Sequence, residues 1–137
     1  SATVAADPVV VDTSIWIDYF RGRNTPALQE HLGDLLDVRA ARVPRVVMAE
    51  LCQGAHSERE LKALDAFCRA DLLVDQTERT WQSAGRIGFE LRRRGIAVSL
   101  TDCYIGAIAL ERRWAVWTVG AHFGDIARVR PLLLHRP

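Results

Sequence analysis

The sequence has little of what marks a membrane, secreted or zinc-stapled protein. Its three cysteines, Cys52, Cys68 and Cys103, are odd in number and form no C-x-x-C pair. That argues against a disulfide framework or a zinc knuckle and fits a reducing cytoplasm. Each lies in an apolar stretch, where a buried thiol is the default reading. No apolar run approaches the roughly 18 residues of a membrane span. Residues 1–7 lack the basic start and apolar centre of a secretory signal and are expected to be a frayed, disordered extension. No G-x-G-x-x-G or Walker A loop occurs, which weakens a nucleotide-binding reading. With a net charge of +1, the overall basic excess of a dedicated nucleic-acid binder is missing too.

What is present is ordinary for one globular domain. The 137 residues are 49% apolar and 26% charged, enough to bury a single core and too apolar for disorder. No repeat or linker interrupts the chain. Basic residues cluster locally at Arg92-Arg93-Arg94 and Arg112-Arg113. Alone, these read as solvated helix ends favoured by the helix dipole.

Hydrophobic spacing predicts alternating strands and helices. Val9-Val10-Val11 reads as a buried parallel strand, and Asp12-Thr13-Ser14 as a helix entry, with a short helix from Ile15 to Phe20 ending near Gly22. Pro26 opens a helix carrying Leu28, Leu32, Leu35 and Leu36 on one stripe. A short extended piece at Arg42-Val43-Pro44 leads to an apolar helix from Val46 to Cys52. Further helices are expected over Glu58–Ala70, Thr77–Arg94 and Ser99–Arg113, and around Phe123–Ile126. The second of these, Thr77–Arg94, has Trp81, Ala84, Gly88 and Leu91 at helical spacing on one face. Leu72-Leu73-Val74 and Val116-Trp117-Thr118 read as strands, and Leu132-Leu133-Leu134 as a last edge strand. This alternation implies an α/β fold with a mainly parallel sheet, in which functional residues gather beyond the carboxyl ends of the strands.

Three carboxylates stand out. Asp12 follows a buried strand, where it is either a helix cap or a site residue. Glu50 lies in Val46-Val47-Met48-Ala49-Glu50-Leu51-Cys52, a stretch apolar on nearly every face, so it needs a partner: Arg45 or a metal. Asp102 opens another apolar helix, where Ser99-Leu100-Thr101-Asp102 also fits a capping box. If the three converge, their repulsion calls for a counter-ion. A hard cation with oxygen ligands, Mg2+ or Mn2+, suits them better than zinc.

These residues resemble the motifs of PIN-domain toxins of the VapC type. The run from Val9 to Asp18 is similar to that family's opening, and Val46–Leu51 and Ser99–Ala109 to its second and third acidic motifs. Thr118-Val119-Gly120-Ala121-His122-Phe123-Gly124-Asp125-Ile126 is similar to its last. The resemblance covers nearly the whole chain, in order. It implies a three-layer α/β/α sandwich and an endoribonuclease that needs Mg2+ or Mn2+. Metal-activated water would cut structured RNA such as tRNA or rRNA, leaving a 5′-phosphate. It also implies a toxin that pairs with a small VapB-type antitoxin and forms a homodimer. Carried over to this chain, Asp12, Glu50 and Asp102 become metal ligands and catalytic residues, with Thr13 and Thr118 as supporting hydroxyls. An antitoxin arginine reaching the carboxylates would inhibit by replacing the metal's charge. Trp16, Tyr19 and Trp81 are candidates for a partner surface or for the core.

One position departs from the family. Two residues after Thr118, where an acidic residue or asparagine is usual, stands Gly120, which cannot ligate through a side chain. His122 occupies the position of a further aspartate in many members, where it could contact water or phosphate. Asp125 is either a compensating carboxylate or a solvated turn residue. The departure leaves open a catalytically impaired PIN-like module that binds RNA or protein without cleaving.

Overall fold

In the computed structural model, residues 6–137 are described. The extension expected over residues 1–7 lies mostly outside them; Ala6 and Asp7 are exposed and outside regular structure. Four strands and seven helices follow in the order β1 (Val9–Val11), α1 (Thr13–Phe20), α2 (Pro26–Asp37), β2 (Ala41–Pro44), α3 (Arg45–Gln53), α4 (Glu58–Phe67), β3 (Leu73–Val74), α5 (Thr80–Arg93), α6 (Leu100–Arg112), β4 (Ala115–Trp117) and α7 (His122–Ala127). The strands form one parallel sheet in the order β3-β2-β1-β4. Helices cover it in the three-layer α/β/α arrangement, with α1, α3 and α4 packed together and α5, α6 and α7 forming a second group.

The centre is β1. Val9 pairs with Ala41 on one side and Ala115 on the other, and Val11 pairs with Trp117. All three valines are buried, as a β-branched run covered on both faces should be. From β1 the chain builds outward through β2 to β3, then returns to place β4 on the other side of β1. This reversal opens a crevice beyond the carboxyl ends of β1 and β4, where ligands bind in open parallel sheets.

Some expected boundaries move. The helix expected to reach Ala70 stops at Phe67, because Cys68 takes φ −75°, ψ 70° and turns the chain toward β3. The long helix starts at Thr80, not Thr77, since Thr77 and Arg79 are held in a turn by the Thr77 and Thr80 hydroxyls. Its buried face is Thr80, Ala84, Ile87 and Leu91. Trp81, expected inside, is 49% exposed and stacks on Tyr104 at 4.3 Å between ring centres. An indole's mass suggested the core, but the i, i+4, i+7, i+11 spacing of the four buried side chains decides the face. Thr80, fully buried, donates to the Glu111 carboxylate at 2.9–3.0 Å and ties α5 to α6. The Leu132–Leu134 segment is not a full strand. It makes one parallel bridge, Val116 to Leu134, at the β4 edge, and Leu133 faces solvent. Cys52, Cys68 and Cys103 are all free thiols. Among the described residues no helix is long and apolar enough to cross a membrane.

The corrected phase of α5 has a direct test. Ile87→Ala should cost about 2–5 kcal/mol in urea unfolding. Trp81→Ala, a larger deletion on the exposed face, should cost less.

Candidate active site

Asp12 sits where β1 ends and α1 begins. Its backbone N–H donates to the Trp117 carbonyl at 2.9 Å, one step beyond the β1–β4 ladder. Its extended backbone, φ −68° and ψ 155°, makes it the α1 N-cap, with Oδ1 accepting from the Thr13 amide at 2.8 Å. Cap and site residue are therefore not exclusive roles: the cap uses one oxygen. The other, Oδ2, accepts from the Ser14 hydroxyl at 3.0 Å and from the Thr118 hydroxyl, at the end of β4, at 2.9 Å. The turn is anchored from below by Trp16, which is fully buried and donates its indole N–H to the Val11 carbonyl at 3.1 Å. Trp16 thus belongs to the core and not to a partner surface; Tyr19 is half-buried beside it.

Glu50 does not sit in a fully buried helix as its neighbours suggested. Only Val47 and Leu51 of α3 are buried, and Glu50 is on the exposed side. Arg45 is not its partner, for its guanidinium pairs with Asp75. Glu50 Oε1 accepts instead from the Thr13 hydroxyl at 3.0 Å. Thr13 therefore links Asp12, through its amide, to Glu50, through its hydroxyl.

Asp102 stands in the first turn of α6. Half of the capping box forms, as the Ser99 hydroxyl accepts from the Asp102 amide at 3.1 Å. The carboxylate turns instead to His122 at the start of α7, with Oδ2 3.0 Å from Nδ1.

The three charges act on one another. Burial pushes the Asp12 carboxyl above its ordinary range; hydrogen bonds from Thr118, Ser14 and Thr13 pull it back in part, and Asp102 pushes it up again. Burial also raises Glu50, against the Thr13 hydrogen bond, with Asp12 and Asp102 both adding to the rise. Among the described residues no three or more His, Cys, Asp or Glu side chains are grouped closely enough to hold a metal ion between them. The carboxylates lie within electrostatic reach of one another. Their donors are hard oxygens, which fits Mg2+ or Mn2+, and Mg2+ usually keeps several of its waters and so needs no closed cage.

Of the lesser candidates, Thr13, Thr118 and His122 each hold one of the three carboxylates. Asp125 is not among the charges that act on Asp12 or Glu50; its backbone serves the turns of α7. Ser14, in sequence only part of a helix entry, also brings its hydroxyl to Asp12. The amide of Gly120 donates to the Thr118 hydroxyl at 3.0 Å. A Cβ there would meet only that hydroxyl, at 3.5 Å.

Fold and site together define a parallel α/β domain with an acidic, hydroxyl-braced crevice at the reversal point of its sheet. The PIN domain family model matches residues 9–129. The chain is 30% identical over 129 residues to a VapC ribonuclease of Mycobacterium bovis, covering 90% of this chain and 95% of that protein. It is 26% identical over 110 residues to a VapC ribonuclease of Methanocaldococcus jannaschii, covering 80% and 74%. A DNA-bound VapBC of Salmonella typhimurium superposes with a TM-score of 0.75 at 20% identity, over 95% of this chain and 98% of the other. FitAcB of Neisseria gonorrhoeae superposes at 0.74 and 17%, over 94% and 97%. The chain belongs to the PIN domain family, in its VapC branch.

The raised carboxyls carry a sign. Native Asp12 and Glu50 hold protons more tightly than the unfolded chain does. Stability therefore falls as pH rises from the ordinary carboxyl values, about 4, through the raised ones, and the penalty is complete above them. Asp12→Asn should raise Tm at pH 7, and the gain over wild type should shrink as pH falls toward about 4. A gain that persists undiminished at acid pH would mean that the ionised carboxylate is not its source.

Proposed function

We propose that this chain is a divalent-metal-dependent endoribonuclease, the toxin of a toxin–antitoxin pair, that hydrolyses phosphodiester bonds in structured RNA such as tRNA or rRNA. The carrying observation is the set Asp12, Glu50 and Asp102, repelling one another at the crevice, two of them pushed up by burial. Such a set is stabilised by a cation, and these three residues would hold it. A bound Mg2+ or Mn2+ supplies Lewis-acid activation of water and neutralises charge at the phosphate. The chain's own residues orient the carboxylates. Thr13, Ser14 and Thr118 fix both oxygens of Asp12, the Thr13 hydroxyl fixes Glu50, and His122 fixes Asp102. Thr118 is itself oriented by the Gly120 amide. Holding the ligands in place beforehand is what such a site requires of the protein.

Partners follow the same reading. The structural relatives include VapBC complexes, and this chain has a cleft of about 540 Å³ beside α1 and α4, lined by Phe20, His56 and Leu64 among others. We assign it to a VapB-type antitoxin. Exposed Trp81, Phe89 and Leu100 on α5 and α6 offer an apolar surface to a second copy, giving a homodimer. Gly120 favours a second reading, an impaired PIN-like binding module, because it leaves one position of the last motif without a ligand.

Labelled total RNA with Mn2+ separates the two. Wild type should cleave, and Asp12→Ala should lose at least about 100-fold in rate, as expected when several kcal/mol of metal stabilisation are removed. Cleavage that survives Asp12→Ala would overturn the assignment, and wild type that binds RNA without cutting it would establish the binding module. Calorimetry should show Mn2+ binding that Asp102→Ala weakens. Gly120→Asp, for which there is room, should tighten it roughly tenfold by adding a charged oxygen ligand.

A further inference from the structure

An acidic crevice repels a polyanion, and a net charge of +1 supplies no general attraction. Affinity for RNA must then come from local basic groups. The arginines leading out of α1 and into α3 are already spoken for: Arg21 pairs with Glu60, Arg23 with Asp18 and Arg45 with Asp75. At the opposite, amino-terminal edge of the sheet the situation differs. Arg39 and Arg42 precede and enter β2, and Arg112 and Arg113 lead through Trp114 into β4. Among the described residues none of these four meets a carboxylate within ion-pair distance.

Two of the four guanidiniums are fixed in place. Those of Arg42 and Arg112 lie over the Trp114 ring at 5.7 and 5.2 Å from its centre. Each is also held by backbone carbonyls, Arg42 by Arg39 and Ala41 at 2.6 and 3.1 Å and Arg112 by Asp75 at 2.9 Å. An arginine stacked in this way loses less freedom on meeting a phosphate. The other two are notable for their backbone. Arg39 and Arg113 both have φ 58°, the only positive values at described non-glycine residues. Each stands at the end of a helix, where glycine would sit without strain. Both residues are exposed, and strain retained at an exposed side chain points to use of that side chain. Arg112, Arg113 and Trp114 also line a cavity of about 600 Å³, with Asp7 at its margin.

We propose that Arg39, Arg42, Arg112 and Arg113, grouped around Trp114, form a contact surface for the RNA phosphate backbone, separate from the carboxylate crevice. It lies about 15 Å from Asp102 along α6, ten residues at helical rise. This rests on the RNA-cleaving reading above. The surface anchors the polyanion while the crevice acts on one bond of it.

The test uses Asp12→Asn protein, so that labelled total RNA stays intact, and reads Kd against salt. Adding Arg39→Gly and Arg113→Gly should weaken binding on the order of tenfold at low salt and make the log–log salt slope shallower by about 1.4–1.8, the value for two lost phosphate contacts. Because glycine relieves both backbones, Tm should hold or rise, which separates lost contact from lost fold. Arg42→Gln with Arg112→Gln should act in the same direction. Unchanged Kd and slope in both pairs, while wild type still cleaves RNA with Mn2+, would overturn this surface and leave the enzyme intact. Absence of cleavage by wild type would overturn the ribonuclease reading instead.

Discussion

Everything at the crevice depends on placing a carboxylate at the end of a fully buried strand. Val9, Val10 and Val11 are covered on both faces, so the residue that follows them leaves the core at a fixed point. That residue is Asp12, and burial raises its carboxyl. Its charge is tolerated because three groups donate to the carboxylate: the Thr13 amide and the Ser14 and Thr118 hydroxyls. The hydrogen bonds lower the cost of the charge without removing it. What remains is a standing attraction for a cation.

The sheet order converts this local feature into a site. With β4 returned to the far side of β1, Thr118 comes beside Asp12 although 106 residues separate them. The other two carboxylates arrive on helices that start near the same end of the sheet. Each is steered by one neighbour, Glu50 by Thr13 and Asp102 by His122. Among the described residues no arginine lies within ion-pair distance of any of the three. Arg45, the arginine nearest to Glu50 in sequence, is engaged by Asp75. A structural ion pair would have explained Glu50 without function; its diversion leaves the negative field of the crevice uncancelled.

Charge is distributed with similar economy elsewhere. A nearly neutral chain separates an acidic crevice from arginines at the other edge of its sheet, so that net charge hides two opposite local fields. Composition alone therefore says little here about nucleic acid. The Arg112-Arg113 pair read from sequence as a solvated helix end, which it also is. Only the folded chain sets beside it Arg39 and Arg42 from another helix–strand junction and Trp114 beneath two of the four guanidiniums.

Several features were legible without a structure because they depend on neighbours in the chain. β1, the N-caps at Asp12 and Ser99, the glycine stop after α1 and the parallel α/β class all follow from short-range pattern. The acidic motifs, taken in order, pointed to the family. Tertiary structure decided what sequence spacing cannot encode. It used one oxygen of Asp12 as the helix cap and gave the other to the Ser14 and Thr118 hydroxyls, and it gave Glu50 a threonine in place of an arginine. It turned Trp81 outward. The physical reason is the same in each case. A cap or a helical stripe is settled by residues within one or two turns, whereas a side chain's partner is settled by which distant element packs against it.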